Sequence, residues 1–316
     1  KIREKSMIID THCHYNLSPL SHDLSGHWKK AKKNGIEKSI VVGTNIETSK
    51  LALDIAKKFP NLYASIGLHP GNYSQEIKNL LDGDKYSQTE IDELVEAQLL
   101  AIKKIIEAES NNPKLIAYGE IGLDYYRLKN KGLKRNLVIE MQKKSFEAQL
   151  KLAFENNLVA ILHVRDQDDR FENKDNAYFD TLEILKKVLN ETGSDSGTLT
   201  QASSTPKFIL HCASGPISYI KEALSMGAYI GVAGNITYDS ADDIREIVKL
   251  APPEKLLLET DAPYLVPASL KNQSIEAQIC EPFMIKATAS YLEKKMGIDL
   301  DIILDNTNNL FKNKFN

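Results

Sequence analysis

The stretch Leu115-Ile116-Ala117-Tyr118-Gly119-Glu120-Ile121-Gly122-Leu123-Asp124 decides the fold. It opens as a continuous apolar run and ends by delivering carboxylates. A continuous rather than alternating run reads as a strand covered on both faces, as in a parallel sheet. The same pattern recurs at Met7–Ile9, Ser39–Val42, Tyr63–Ile66, Val159–Leu162, Phe208–Leu210, Tyr229–Val232 and Leu256–Leu258. Segments of helical period lie between the runs. In Gln142–Asn156, for example, Phe146, Leu150 and Phe154 recur on one helix face. Eight such runs in a βα rhythm predict an α/β protein built as a closed TIM (β/α)8 barrel of parallel strands. The competing architecture is a doubly wound open sheet.

A chain of 316 residues can form such a barrel as one unit, so a single domain over 1–316 is expected. Residues 1–6 read as a polar leader. Surface insertions are expected at 82–96, which is polar and charged and reads as an extended loop and the start of a helix, and at 193–206, which is rich in Ser, Thr and Gly. The net charge of −3 argues against a broad basic surface for long duplex DNA. The odd set Cys13, Cys212 and Cys280, and a leader without an apolar core, point to a reducing compartment. The expected location is cytoplasmic, or nuclear in a eukaryote, and not secreted. No apolar run reaches bilayer length, so no membrane contact is expected, nor an obligate protein partner.

The informative polar residues follow the apolar runs. They are His12 and His14, His69, Glu120 and Asp124, His163 and Arg165, His211, and Asp261. In a barrel these strand ends open onto one face, where active sites sit. His12 and His14 alternate with Cys13, so both imidazoles project to one side and Cys13 to the other. Cys13 and Cys212 are therefore expected to be packed thiols. A lone histidine at a strand end is more often a packing residue, and Asp261 before Ala262-Pro263 reads equally as a helix N-cap. The conjunction decides: this many polar groups at one buried rim are costly unless a metal or substrate satisfies them. The nitrogen and oxygen donors suit Zn, Mn, Co or Fe, and more loosely Mg. His22 and His27 read as solvated.

Six segments together resemble the TatD family of metal-dependent deoxyribonucleases, within the amidohydrolase-like barrels. They are Ile9-Asp10-Thr11-His12-Cys13-His14, Gly67-Leu68-His69-Pro70, Gly119-Glu120-Ile121-Gly122-Leu123-Asp124-Tyr125-Tyr126, His163-Val164-Arg165, His211-Cys212-Ala213-Ser214-Gly215 and Glu259-Thr260-Asp261-Ala262-Pro263-Tyr264. They occur in family order across nearly the whole chain. The resemblance implies two divalent metal ions (Mg, Mn, Zn or Co) and hydrolysis of phosphodiester bonds in DNA, often as a 3′→5′ exonuclease on single strands or 3′ ends. It also implies that His12, His14 and Asp261 hold one metal, His163 and His211 the other, and that Glu120 bridges them. His69, Asp124 and Arg165 would surround the site. Asp261 would also accept a proton from the attacking water. Arg165 would grip phosphate or else pair with a carboxylate such as Asp124. His69 would donate to phosphate or else only fix the turn before Pro70.

Two departures from the family pattern bear on the substrate pocket. Ala213 stands where an aromatic residue is common, and Cys280-Glu281-Pro282 replaces Asn-Glu-Pro after a longer loop, Ala268–Ile279. The rivals are a small-molecule metallohydrolase for a lactone, phosphoester or amide, a D-aminoacyl-tRNA deacylase, and a binding protein that keeps the barrel. Glu120, with no lysine at that strand end, favours the nuclease-like branch. No expected ligand is missing, which disfavours the binding protein.

Overall fold

Each apolar run pairs in parallel with the next, giving one sheet in the order β1 to β8. The strands are β1 Ile8–Cys13, β2 Ile36–Val42, β3 Leu62–Ile66, β4 Leu115–Asp124, β5 Val159–Arg165, β6 Phe208–Leu210, β7 Tyr229–Val232 and β8 Leu256–Leu258. This is a computed structural model; it describes residues 7–73, 88–126, 128, 133–166, 176–193, 206–271, 278–312 and 314–315. The expected leader at 1–6, and 82–87, 194–205 and 272–277 of the expected insertions and loop, lie outside the described residues. The sheet closes, because β8 returns to β1. Asp261 N donates to His12 O at 2.9 Å and His14 N donates to Ala262 O at 2.8 Å. The architecture is therefore the TIM barrel and not the open sheet.

The described helices that follow the strands are α1 Leu24–Lys33, α2 Ile46–Lys58, α3 Gln88–Ala108, α4 Leu133–Glu155, α5 Ala177–Gly193, α6 Ile217–Ser225, α7 Asp242–Leu250, α8 Ile285–Met296 and α9 Leu300–Leu310. Local chemistry starts them. In α2 the Asn45 side chain accepts from Thr48 N while Thr48 Oγ1 accepts from Asn45 N, a reciprocal cap that satisfies two otherwise orphaned donors. Of the expected 82–96 stretch the described part is helix, since α3 begins at Gln88, in keeping with a loop that leads into a helix.

The strands sort their side chains by alternation. Ile40, Val42, Ile116, Ile161, Ile209 and Leu257 form one buried cluster with Phe311, which is the barrel interior. Their neighbours Val41, Leu115, Leu162, Leu210 and Leu256 join the larger cluster shared with the helices, where Phe146 and Leu150 of α4 also pack. Both faces of the sheet are thus apolar, which is why the strands read as continuous runs.

Three strands run further than their apolar runs. β1 reaches Cys13, β4 reaches Asp124 and β5 reaches Arg165, because pairing continues through Gly122↔His163 and Asp124↔Arg165. Two of them also carry a bulge. Tyr118 pairs Ala160 but Ile121 pairs Leu162, so β4 holds one extra residue around Gly119 and Glu120. Asp10 pairs Ser39 but Cys13 pairs Val41, so β1 does the same around Thr11 and His12. Bulges re-aim side chains, and these two sit at the polar motifs.

Beyond the β4 bulge, Gly122 has φ +138, and a Cβ there would lie 2.0 Å from His163 O. Only glycine lets β4 approach β5 this closely. Gly122→Ala is expected to lower unfolding free energy by roughly 2–4 kcal/mol. Gly297→Ala, at φ +71 with nothing within 4 Å, is expected to cost only about 1 kcal/mol. Urea denaturation of both variants checks this; equal losses would mean that the β4–β5 approach is not tight.

Candidate metal centre

The β8–β1 seam builds half of the centre. Its two backbone hydrogen bonds join the main chain at His12, His14, Asp261 and Ala262. The Asp10 carboxylate ties the same strands together: it accepts from Thr260 N at 3.0 Å, Thr260 Oγ1 at 2.7 Å and His12 N at 3.2 Å. Burial pushes the Asp10 carboxyl up to about 7, against the Thr260 hydrogen bonds, which lower it. Asp261 adopts φ 56, a left-handed turn that ends the strand direction and presents its carboxylate to the histidines.

Glu120 stands at the middle, and its two oxygens face different histidines. Oε2 lies 3.6 Å from His12 Nε2 and 3.8 Å from His14 Nε2. Oε1 lies 2.7 Å from His163 Nδ1, 3.6 Å from His69 Nε2 and 3.8 Å from His211 Nε2. Asp261 Oδ1 lies 3.4 Å from His14 Nε2, 3.7 Å from His12 Nε2 and 3.6 Å from His211 Nε2. The His12 and His211 rings stack at 3.5 Å. His163 also faces Asp124 Oδ2, through Nε2 at 3.3 Å.

The tautomers show which nitrogens can ligate. His14 Nδ1 lies 3.0 Å from Val42 O and donates to it, which leaves the Nε2 lone pair inward. His211 Nδ1 lies 2.9 Å from Glu259 Oε1, a carboxylate–imidazole pairing that likewise orients Nε2 toward the centre. His12 Nε2 is only 3.1 Å from His14 Nε2, so two inward nitrogens crowd one point beside two carboxylates. Such a donor set fits a divalent cation. His69 is different. Its Nδ1 accepts from Gly71 N at 2.9 Å, so Nε2 carries the hydrogen and acts as a donor. Burial drops the His69 imidazole to about 4, keeping it neutral.

The carboxylates stay ionised. Burial alone would raise Glu120, yet His69, His12 and His163 hold it well below the usual carboxylate range. Burial would also raise Asp261, but His211, His14 and His12 hold it down. Burial disfavours protonated His163, but Asp124 and Glu120 together lift it to about 9. The centre is a nest of anionic oxygens that demands positive charge.

The polar residues expected at the strand ends come together at this mouth. A cleft of about 630 Å³ is lined by His14, His69, Glu120, His163, His211 and Asp261, with Arg165 on its wall. Arg165 does not pair with Asp124; its guanidinium lies 3.9 Å over the Tyr126 ring. His69 both fixes its turn and faces Glu120. Cys13 is buried with Sγ directed at Ala262 O, as expected of a packed thiol. Cys212 corrects its expectation: it is partly exposed, lines the cleft, and groups with His211 and Asp261 within 4.8 Å. β6 stops at Leu210 and Cys212 has φ 43, so strand alternation no longer governs it. His27 is also corrected, since its Nδ1 pairs with Glu281 Oε2 at 3.0 Å. Glu281, in the divergent Cys280-Glu281-Pro282 segment, binds Lys30 as well, at 2.7 Å. The segment therefore anchors α1.

Four supporting residues escaped the sequence reading. Asp10 and Glu259 each stand two residues before a histidine or aspartate of the centre, and that shared spacing is the available signal. Gln142 and Gln149 on α4 are the others. Gln142 Oε1 accepts from Asp124 N at 2.9 Å. Gln149 Oε1 accepts from Leu68 N at 2.8 Å and its Nε2 donates to Leu68 O at 3.1 Å. They fix the strand ends that carry Asp124 and His69, and seven-residue spacing on a buried helix face was their signal.

Among the described residues, no helix is long and apolar enough to cross a membrane. Residues 9–316 match the family model for TatD related DNase. The chain is 27% identical to the uncharacterized metal-dependent hydrolase YabD of Bacillus subtilis, over 97% of this chain and 99% of that one. It is 30% identical to the 3′-5′ ssDNA/RNA exonuclease TatD of Salmonella typhimurium, over 75% of this chain and 71% of that one. The crystal structure of the TatD homolog YjjV from Escherichia coli superposes with a TM-score of 0.70 at 27% identity, covering 96% and 97% of the two chains. A match across almost the whole barrel, with the histidines and carboxylates already converging at its mouth, makes this chain a member of the TatD-related DNase family of metal-dependent hydrolases, acting on ester bonds.

Proposed function

We propose that the chain hydrolyses phosphodiester bonds in single-stranded nucleic acid, from the 3′ end, at a centre for two divalent metal ions. The observation that carries the reading is the division of the histidines by Glu120, with His12 and His14 facing one oxygen and His163 and His211 the other. Asp261 completes the first group and Glu120 would bridge both. Mg, Mn, Zn and Co all accept such nitrogen and oxygen donors. The bound ions would supply an acidified water and offset charge on the phosphate. His163 would hold its ion as the neutral imidazole, with Asp124 Oδ2 at 3.3 Å from Nε2 keeping the ring in place.

The chain's own groups do the rest. Asp261, ionised and beside the ligand nitrogens, holds the proton taken from the attacking water. His69 Nε2–H donates to a phosphate oxygen, because Gly71 N already occupies Nδ1. Arg165 presents guanidinium N–H groups at the cleft wall while its face rests on Tyr126, a geometry suited to phosphate oxygens. Glu259, against His211 Nδ1, and Asp10, against Thr260, hold the frame in register. The relative from Salmonella described as a 3′-5′ ssDNA/RNA exonuclease supports this substrate class.

Two measurements test the reading. Metal counting by elemental analysis should find both ions lost in Glu120→Ala and mainly one lost in His163→Ala. Full occupancy in Glu120→Ala would rule out the bridge. Asp261→Asn keeps an oxygen for the metal but loses its basicity. Single-turnover cleavage of end-labelled single-stranded DNA should slow by about 10²–10⁴, while anisotropy shows the strand still bound. Near-normal cleavage would remove Asp261 from proton transfer. A wild type that hydrolyses a lactone or a small phosphoester, but no nucleic acid, would sink the nuclease reading.

A further inference from the structure

We infer that Tyr264, and the stack formed by Tyr126 with Arg165, are two nucleobase platforms that flank the metal centre and seat unpaired bases of the strand being cut. The inference rests on the nuclease reading and adds how the strand is held. The large hydrophobic side chains exposed among the described residues are Met7, Leu51, Leu100, Tyr126 and Tyr264. The two aromatic ones stand by the mouth: Tyr264 lines the cleft after the turn that follows β8, and Tyr126, just past the end of β4, lies against Arg165, which lines it. Tyr126 is 43% exposed and Tyr264 53%, whereas Tyr15, Tyr63, Tyr73, Tyr118, Tyr125 and Tyr219 are buried. The Tyr125-Tyr126 pair shows the division most directly. Tyr125 points inward and donates its hydroxyl to Asp180 Oδ2 at 2.8 Å, while Tyr126 faces solvent.

Both exposed rings are held by the backbone of site residues. Tyr264 N donates to Asp261 O at 2.8 Å, so its ring rides on the turn that presents the Asp261 carboxylate. That ring meets the His14 ring at 6.1 Å with an interplanar angle of 71°, and it lines the cleft. Tyr126 N donates to Arg165 O at 3.3 Å, and the Arg165 guanidinium covers the ring at 3.9 Å. Tyr126 and Arg165 thus form a cation–π pair in which the guanidinium N–H groups can still serve phosphate.

Unpaired bases are the ligand that fits these features. A base stacks on an aromatic ring or a guanidinium plane whatever its identity, whereas the bases of a duplex are already stacked. A net charge of −3 argues against a grip on phosphates by charge alone, so stacking adds to what Arg165 and His69 supply. Binding should accordingly depend less steeply on salt than for a basic nuclease.

The test uses the full metal-loaded chain with four proteins and two strands. The proteins are the wild type, Tyr264→Ala, Tyr264→Trp and Tyr126→Ala. The strands are a short oligothymidylate and the same length carrying abasic residues over its 3′ half. Removing one stacking ring should raise KM for oligothymidylate about 5- to 100-fold, with kcat changed far less. Tyr264→Trp should restore the wild-type KM. On the abasic strand the wild type should already show the raised KM, and Tyr264→Ala should add less than twofold. Tyr126→Ala should behave likewise, with a further loss because Arg165 loses its support. Unchanged KM for oligothymidylate in Tyr264→Ala overturns the inference, as does an equal loss on both strands, which would mean that the ring only shapes the turn. If the wild type cuts neither strand, the nuclease reading fails and takes the platforms with it; if it cuts both equally well, only the platforms fail.

Discussion

Two backbone hydrogen bonds across the β8–β1 seam carry more of this structure than any others. Asp261 N to His12 O and His14 N to Ala262 O close the barrel, and the same residues supply half of the donor atoms at its mouth. Closing the sheet and assembling the centre are one event. The buried Asp10 carboxylate reinforces that event from one side, through Thr260 and the His12 amide. The thermodynamic corollary is linkage. A cation held by these side chains binds only the closed form, so it stabilises the closed barrel by mass action.

Placing so many charges in one buried mouth requires order beyond the donors themselves. Three imidazoles have their second nitrogen assigned: Val42 O takes His14, Glu259 takes His211, and Asp124 takes His163. Gly71 N does the reverse for His69, turning it from an acceptor into a donor. The roles of chemically identical side chains are thus set by what stands behind them. The two glutamines of α4 extend this control by one layer, since they fix the backbone that carries Asp124 and Leu68. A helix on the outside of the barrel therefore governs angles on the inside.

The strands were legible because a parallel barrel covers both faces of its sheet, which leaves continuous apolar runs such as Val159–Leu162. The polar residues of the centre were legible because each one interrupts the apolar sequence at the same end of its strand. The true ends of β1, β4 and β5 were not, because strands turn polar in sequence before their pairing stops. Asp124 and Arg165 are still paired residues. Cys212 was misplaced for the opposite reason: β6 ends early and the chain turns left-handed. His27 and Glu281 lie 254 residues apart, and no local pattern announces such a pair. The exposure of Tyr126 beside buried Tyr125 was hidden too, since adjacent tyrosines look alike until the fold separates them.

The bulge in β4 also constrains the length of the strand. β4 spends three steps, Tyr118 to Ile121, where β5 spends two, Ala160 to Leu162. Deleting a single residue there would give β4 even pairing with β5, while Ile121 to Asp124 kept their partners Leu162 to Arg165. What would change is the bulge itself, where Gly119 and Glu120 together stand opposite Ile161 and the Glu120 carboxylate faces the histidines. The strand's length is therefore fixed most tightly at the two residues where its pairing is least regular.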